Sequence, residues 1–257
     1  MKEHTITINE EKCTGCKKCI NDCFLDNIKL SDNKATIISQ HCIKCGHCAA
    51  VCPEEAISIE DLEKDMVKNT YNKKVEPEKI MNMLRFKRSI RNFKKDDIPD
   101  DVIAQIIEAG RLTPTARNMQ DVSYIVLKNE KDKFESMAIS YFRELQSSNE
   151  MFFEQTKSLN IHDNFFFFGA PVVILVVSKR QDNGALAAAN MTMVADANNL
   201  GTLYNGFFCM MANQSKEIRQ ALQIPEGNMV SATIVLGYPG VTYNKSTPKN
   251  PAKVTYR

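Results

Sequence analysis

Eight of the chain's nine cysteines lie between Cys13 and Cys52, and only Cys209 stands apart. They form two runs: Cys13, Cys16, Cys19 and Cys23, then Cys42, Cys45, Cys48 and Cys52. Each run has the spacing C-x2-C-x2-C-x3-C, and the second is offset from the first by 29 residues. The offset carries over to the flanks, where Ile28 falls on Ile57, Leu30 on Ile59, Thr7 on Thr36 and Ile8 on Ile37. The pattern is an internal repeat of about thirty residues: a strand, a cysteine loop, a short helix and a strand.

Three thiolates at x2 intervals can wrap a loop around three irons of one cubane, while a fourth, on the short helix that follows, points at a second cluster. The spacing therefore predicts two 4Fe–4S clusters with crossed ligand sets. Cys13, Cys16, Cys19 and Cys52 hold one; Cys42, Cys45, Cys48 and Cys23 hold the other. Gly15 and Gly46 allow tight turns close to inorganic sulfur. The alternative is a pair of zinc ribbons built from CxxC knuckles. It leaves the third cysteine of each run, the repeat and Pro53 after the last cysteine unexplained. Over Glu3 to Glu60 the chain resembles two-cluster bacterial ferredoxins, with one departure: Phe24 stands where the first run would usually have proline.

The rest of the chain must be something else. Of 257 residues, 43% are hydrophobic and 25% charged, with a net charge of +2, a balance that suits a globular protein and argues against a nucleic-acid binder or a polybasic membrane anchor. Met1 to Asn9 lacks the apolar core of a signal peptide. The longest apolar stretch, Phe165 to Val177, is broken by Gly169 and Pro171 and is too short for a bilayer span. A cytoplasmic location follows as the expectation, where nine cysteines are metal ligands sooner than disulfides. Residues 1–60 are read as the cluster domain, 61–76 as a polar linker and 77–257 as a second, α+β domain.

In that second domain Pro77 suits the first turn of a helix running from Glu78 to about Arg88. Helices are expected at Asp100–Arg111, Lys131–Gln146, Gly184–Leu200 and Gln214–Leu222. Strands are expected at Tyr124–Leu127, Pro171–Val177 and Val230–Leu236. Ala195–Gly206 is read as ending in a small-residue turn.

The chain has no GxGxxG, GxxxxGK[ST] or GxSxG, so a phosphate-bearing cofactor must be held by charged side chains. Such groups cluster at Lys87, Arg88, Ser89 and Arg91, a run that taken alone reads as a solvated face. Five segments together carry more: KRSIRNF, PTARNMQ, GAPVVILVV, ALAAANMTMVADANNLGT and IPEGNMVSATIVLGYPG. In this order, over roughly Glu76 to Tyr256, the chain resembles the nitroreductase family of FMN-dependent oxidoreductases.

The resemblance implies a homodimer with FMN at its interface. Lys87, Arg88, Ser89 and Arg91 would hold the phosphate, ribityl chain and pyrimidine edge. Asn118 would contact the isoalloxazine ring with Gln120 nearby, and Thr115 and Ala116 would approach from the partner subunit. Asn205 and Gly206 would present backbone N–H groups to the reactive N5. Lys249 sits where the family often has a second phosphate-binding arginine. No side chain is expected to be a nucleophile; Cys209, in an apolar context, reads as a small core residue. His41 and His47 adjoin cluster cysteines, and His162 precedes a run of phenylalanines. The expected function is electron transfer from the clusters to FMN and on to a nitroaromatic, quinone or activated alkene. The donor would be a ferredoxin-like protein or NAD(P)H. An electron carrier or redox sensor without turnover, or a reductive dehalogenase, is the alternative.

Overall fold

A computed structural model describes residues 6–39, 41–60, 67–69, 75–148 and 159–257. Most of the stretch read as a linker lies outside the described residues. The chain divides into two compact units. Met1–Lys74 with Ala116–Met119 forms the first, and Val75–Thr115 with Gln120–Arg257 forms the second.

The repeat is visible in the first unit. Strand β1 (Ile6–Ile8), helix α1 (Lys18–Asn21) and strand β2 (Ile28–Ser31) are followed by β3 (Lys34–Ile37), α2 (His47–Ala50) and β4 (Ile57–Ile59). Pairing exchanges partners between the halves: β1 runs antiparallel to β4 with Ile8 opposite Ile57, and β2 to β3 with Ile28 opposite Ile37. Ile6, Ile28, Ala35, Ala56 and Ile57 bury one face of these short strands against Cys13, Cys19 and Cys48. So small a core is a weak source of stability for a domain of this size, and the cluster loops lie directly on it.

Gly15 shows how tightly the first loop is drawn. Its φ is +69°, and an added Cβ would lie 2.2 Å from the carbonyl oxygen of Asn33. Gly46, its repeat partner, has φ +75° but open space at the same place. Gly15→Ala is therefore expected to cost the protein one cluster's iron, and Gly46→Ala much less, because only the first adds a backbone clash to left-handed strain of roughly 1–2 kcal/mol. Iron content after anaerobic reconstitution checks this; equal losses would refute it.

The second unit contains helices α3 (Pro77–Phe86) and α4 (Asp100–Arg111), strand β5 (Ser123–Leu127), α5 (Lys131–Ser148), β6 (Val172–Ser178), α6 (Gln181–Ala197), β7 (Gly201–Tyr204), α7 (Gly206–Gln214), α8 (Lys216–Ala221) and β8 (Met229–Gly237). The four strands form one antiparallel sheet in the order β5-β6-β8-β7. Every residue of β6 is buried, because both sheet faces are covered. Alternation along the strand sends Val173, Leu175 and Val177 to one core with Phe134, Phe142, Phe167 and Phe208, and Val172, Ile174 and Val176 to the other with Ile106, Ala188 and Met191. The first core lies under α5 and α7, the second under α4 and α6. The mixed helix and strand content is the α+β class expected.

Three elements depart from the expectations. Helix α6 begins at Gln181, not Gly184, because Gly184 is a packing position inside the helix. A Cβ there would lie 2.4 Å from the Cβ of Ser231 on β8. The stretch read as a turn before Gly206 contains β7, a strand of four residues whose partner is supplied by β8. The helix read at Gln214–Leu222 is α8, and the apolar run before it is the separate helix α7. Ser215 divides them: its backbone is extended and its hydroxyl accepts from the Ile218 N–H at 3.2 Å, a standard N-cap.

Candidate functional site

The first unit brings the last cysteine of the second run beside three of the first. Cys13, Cys16, Cys19 and Cys52 line one cavity together with Gly15, Lys17, Ala35 and Ala56. The pairing of β1 with β4 does this, since it brings the chain after Cys52 beside the chain before Cys13; Asn9 N–H donates to the Ala56 carbonyl at 2.8 Å. Around the other site burial, with the nearby Cys42, Cys45 and Cys23 adding to it, pushes the Cys48 thiol up to about 11. Burial raises Cys19 as well, with Cys13 and Cys16 adding to the effect.

Backbone N–H groups are already turned toward sulfur. Asn27 N–H donates to Cys23 Sγ and Ala56 N–H to Cys52 Sγ, both at 3.3 Å, four residues on in each repeat. Ala35 and Lys44 do the same for Cys13 and Cys42, again at 3.3 Å. Such bonds tune cluster potential. Among the described residues no three His, Cys, Asp or Glu side chains converge closely enough to hold a single ion. His47 Nδ1 lies 3.5 Å from Asp22 Oδ2, linking the two cysteine helices, and both side chains are largely exposed.

In the second unit the basic run leaves α3 and lies along β7. Ser89 bridges to Thr202 in parallel, and Ile90 N–H donates to the Thr202 carbonyl at 2.9 Å. Lys87 Nζ donates to the Thr192 carbonyl of α6 at 2.7 Å. Burial holds its ammonium below the usual lysine range, with Asp196 acting against that. Arg88 donates through Nη2 to the Lys245 carbonyl at 2.8 Å and lies 3.9 Å over the ring of Tyr243. Its Nε is buried and has no partner among the described residues. A buried guanidinium N–H without an acceptor is costly, and a phosphate would satisfy it, so this part of the cradle fits an anionic cofactor. Arg91 and Lys249 are exposed.

The other predicted contacts are distributed differently. Asn205 caps α7, its side-chain oxygen accepting from Phe208 N–H at 2.9 Å, while its amide nitrogen donates to the Phe166 carbonyl. The Asn205 backbone N–H, expected at a flavin N5, donates to the Thr233 carbonyl at 2.9 Å and is committed to the sheet. That leaves Gly206, the exposed first residue of α7, as the one of the pair able to present its N–H. Thr115 Oγ1 accepts from Gln120 N–H at 2.9 Å. Arg117, Asn118 and Gln120 all have left-handed backbones, with φ of 54°, 50° and 46°. Ala116 and Asn118 group with the first unit, and within it the Asn118 amide donates to the Lys44 carbonyl at 2.7 Å.

One residue not anticipated from sequence is Glu135 on α5. It is 3% exposed, and its Oε1 accepts from the N–H groups of Phe166 and Phe167 at 2.9 and 2.8 Å. It thereby fixes the peptide whose carbonyl holds Asn205. Only its place on the helix face of Phe134, Ala138 and Ile139 marks it in sequence. Burial raises its carboxyl pKa, against the two N–H bonds. A carboxyl raised in the folded state binds its proton more tightly than in the unfolded chain. Its contribution to stability is complete below the unfolded value of 4.5 and is lost as pH rises through the folded value. Glu135→Gln, which keeps an acceptor oxygen and cannot ionise, is expected to flatten that dependence above pH 4.5. Glu135→Ala leaves two buried N–H groups unpaired and is expected to cost about 2–5 kcal/mol at any pH. Thermal melts from pH 4 to 8 check both; a Glu135→Gln profile parallel to that of the parent would refute the first.

Cys209 Sγ donates to the Val230 carbonyl at 3.0 Å, and burial pushes its thiol up to about 11, so it remains a protonated packing group. His162 is exposed, packs edge-on against Phe165 and accepts from Asn164 N–H at 3.3 Å.

Comparison with known proteins matches two families along the chain. Residues 84–238 match the nitroreductase family and residues 5–53 the 4Fe–4S dicluster domain. A putative NADH dehydrogenase/NAD(P)H nitroreductase of Archaeoglobus fulgidus is 25% identical over 162 residues, 63% of this chain and 86% of that protein. A component of an ion-translocating oxidoreductase complex of Methanosarcina acetivorans is 40% identical over 50 residues; the match spans 20% of this chain and only 19% of that protein. A nitroreductase of Bacteroides fragilis, solved with bound FMN, superimposes with a TM-score of 0.58 at 17% identity, covering 69% of this chain and 98% of that one. Among the described residues no helix is long and apolar enough to cross a membrane. The chain is an oxidoreductase of the nitroreductase family that carries an N-terminal domain for two 4Fe–4S clusters.

Proposed function

We propose that this protein is an iron–sulfur flavoprotein that takes single electrons from a low-potential donor and reduces a small conjugated acceptor in pairs. The observation that carries this reading is the joining, in one chain, of a dicluster domain to a nitroreductase domain. When bound, the clusters exchange single electrons and FMN combines them into the pair that a nitroaromatic, quinone or activated alkene requires.

The protein's own residues bind and orient. Arg88 offers its unpaired Nε to the FMN phosphate, with Lys87, Ser89, Arg91 and Lys249 adding charge and hydrogen bonds. Lys87 already uses one of its three donors on Thr192, which fixes where the other two point. Gly206 directs a backbone N–H at the reactive edge of the ring, held in place by the capping of α7. No side chain acts as a nucleophile, and the proton comes from water or a group of the acceptor pocket. The functional unit is a cytoplasmic homodimer with FMN at its interface.

Anaerobic purification with iron and flavin counts tests the architecture, with about eight irons and one FMN per chain expected. Zinc without flavin would overturn it. Stopped-flow reduction tests the donor. Rapid reduction of FMN by NADPH in a cluster-free variant would sink the version fed by an iron–sulfur protein. Multiple-turnover assays with a nitroaromatic, a quinone and a halogenated aromatic separate the acceptor classes, and no turnover with any favours an electron carrier.

A further inference from the structure

The internal repeat provides a control for its own surface. Residues 24–27 correspond to residues 53–56, directly after the fourth cysteine of each run. The two backbones match: Asp26 and Glu55 have φ of 49° and 48°, and Asn27 and Ala56 each donate to the preceding cysteine sulfur at 3.3 Å. The side chains do not match. After Cys52 the chain presents Pro53, Glu54 and Glu55, all exposed. After Cys23 it presents Phe24, 85% exposed, and Leu25, 42% exposed. Ile38, 56% exposed, is backbone-paired with the end of the same turn, its N–H donating to the Asn27 carbonyl at 2.9 Å.

Single exposed apolar residues are ordinary. Three together, one of them an aromatic ring with almost no cover, are not required by a turn that the same fold builds elsewhere from proline and two glutamates. Apolar surface of this kind, rich in an aromatic side chain, marks a contact face. We propose that Phe24, Leu25 and Ile38 form the docking face for a soluble one-electron carrier protein with a low-potential iron–sulfur centre. This rests on the function proposed above and adds the place of entry.

Position selects the occupant. Cys23, adjoining Phe24, is a ligand of the cluster assigned to Cys42, Cys45 and Cys48. Electron exchange weakens steeply with distance, so a carrier seated on this face brings its centre close to that cluster and not to the other. One electron leaves the carrier's reduced centre and reduces this cluster; no bond is made or broken and no proton is needed. A small face suits such a partner, because transient redox pairs bury less than about 1,200 Å² and must separate after each transfer. The rim carries Asp22, Asp26 and Lys29, all exposed and of both signs, so apolar contact and not a strong field sets the fit.

The test uses the holoprotein and a chemically reduced two-cluster 4Fe–4S ferredoxin as donor, with dithionite as the small-molecule control. Two variants remove the face: Phe24→Ser with Leu25→Ser, and Phe24→Pro, which copies the protein's own Pro53. Glu54→Ala with Glu55→Ala alters the corresponding turn of the other run. The second-order rate of cluster reduction by ferredoxin is expected to fall at least tenfold in both face variants. It should hold in the Glu54/Glu55 variant, with iron content and the dithionite rate unchanged throughout. Unchanged ferredoxin rates in the face variants would overturn the proposal, as would a fall seen equally with dithionite. An unaltered protein that ferredoxin does not reduce overturns the donor reading itself. The two failures are thus distinct: one shows in the parent protein, the other in the ratio of variant to parent.

Discussion

Cys13→Ser combined with Cys52→Ser is expected to leave about half of the protein's iron, and Cys13→Ser combined with Cys23→Ser almost none, because each 4Fe–4S cluster takes four thiolates. The first pair falls within one crossed ligand set, and the second takes one ligand from each set. If each run held its own cluster, the two results would exchange: Cys13 and Cys23 would then share a cluster, and their joint loss would spare the other. The structure favours the crossed outcome, since Cys52 and not Cys23 lines the cavity with Cys13, Cys16 and Cys19. Iron counts with electron paramagnetic resonance of the reduced proteins decide between them. Single variants add a second check, as Cys13→Ser and Cys52→Ser should abolish the same signal.

Arg88→Ala is expected to weaken FMN binding by roughly 10- to 100-fold, the range for losing charge-assisted hydrogen bonds worth about 1.5–3 kcal/mol. Arg88 has a buried Nε without a partner among the described residues, and its other end is held by the Lys245 carbonyl and the Tyr243 ring. The guanidinium is therefore oriented before any ligand arrives, which reduces the ordering cost of binding. Arg88→Lys keeps the charge and loses the planar fork, so it should fall between the parent and Arg88→Ala. Because alanine also releases the tail at Lys245, the lysine variant separates phosphate contact from tail anchoring. Flavin fluorescence titration of the apoprotein measures both, and equal FMN affinity in all three proteins would remove Arg88 from the site.

The repeat strands and the helices at Asp100–Arg111 and Lys131–Gln146 were legible because their apolar positions recur at the period of the element itself. Strand β7 and helix α7 were not. Gly201–Tyr204 is too short to show alternation, and it is a strand because β8 offers it a partner. Phe207 to Met211 is apolar all round, so no periodicity marks a helix, although Asn205 supplies a cap that sequence reading assigned instead to the flavin. Gly184 was mistaken for a boundary because glycine signals helix ends from sequence, whereas here the closeness of Ser231 requires it inside the helix.

The cluster chemistry was determined by the sequence itself, since ligand identity and spacing within a short loop leave few ways to wrap a cubane. The family resemblance of the second domain and its candidate FMN residues came from ordered segments, and the contacts that hold those residues did not. Arg88 meets Lys245 across 157 positions, and Glu135 reaches Phe166 across 31. Contacts of that range are set by how strands pair and helices stack, and no local spacing encodes them. The tertiary structure also decided which donors are free. It gave the Asn205 N–H to Thr233, left Arg88 Nε without an acceptor among the described residues, and placed Phe24 in solvent beside a predicted cluster ligand.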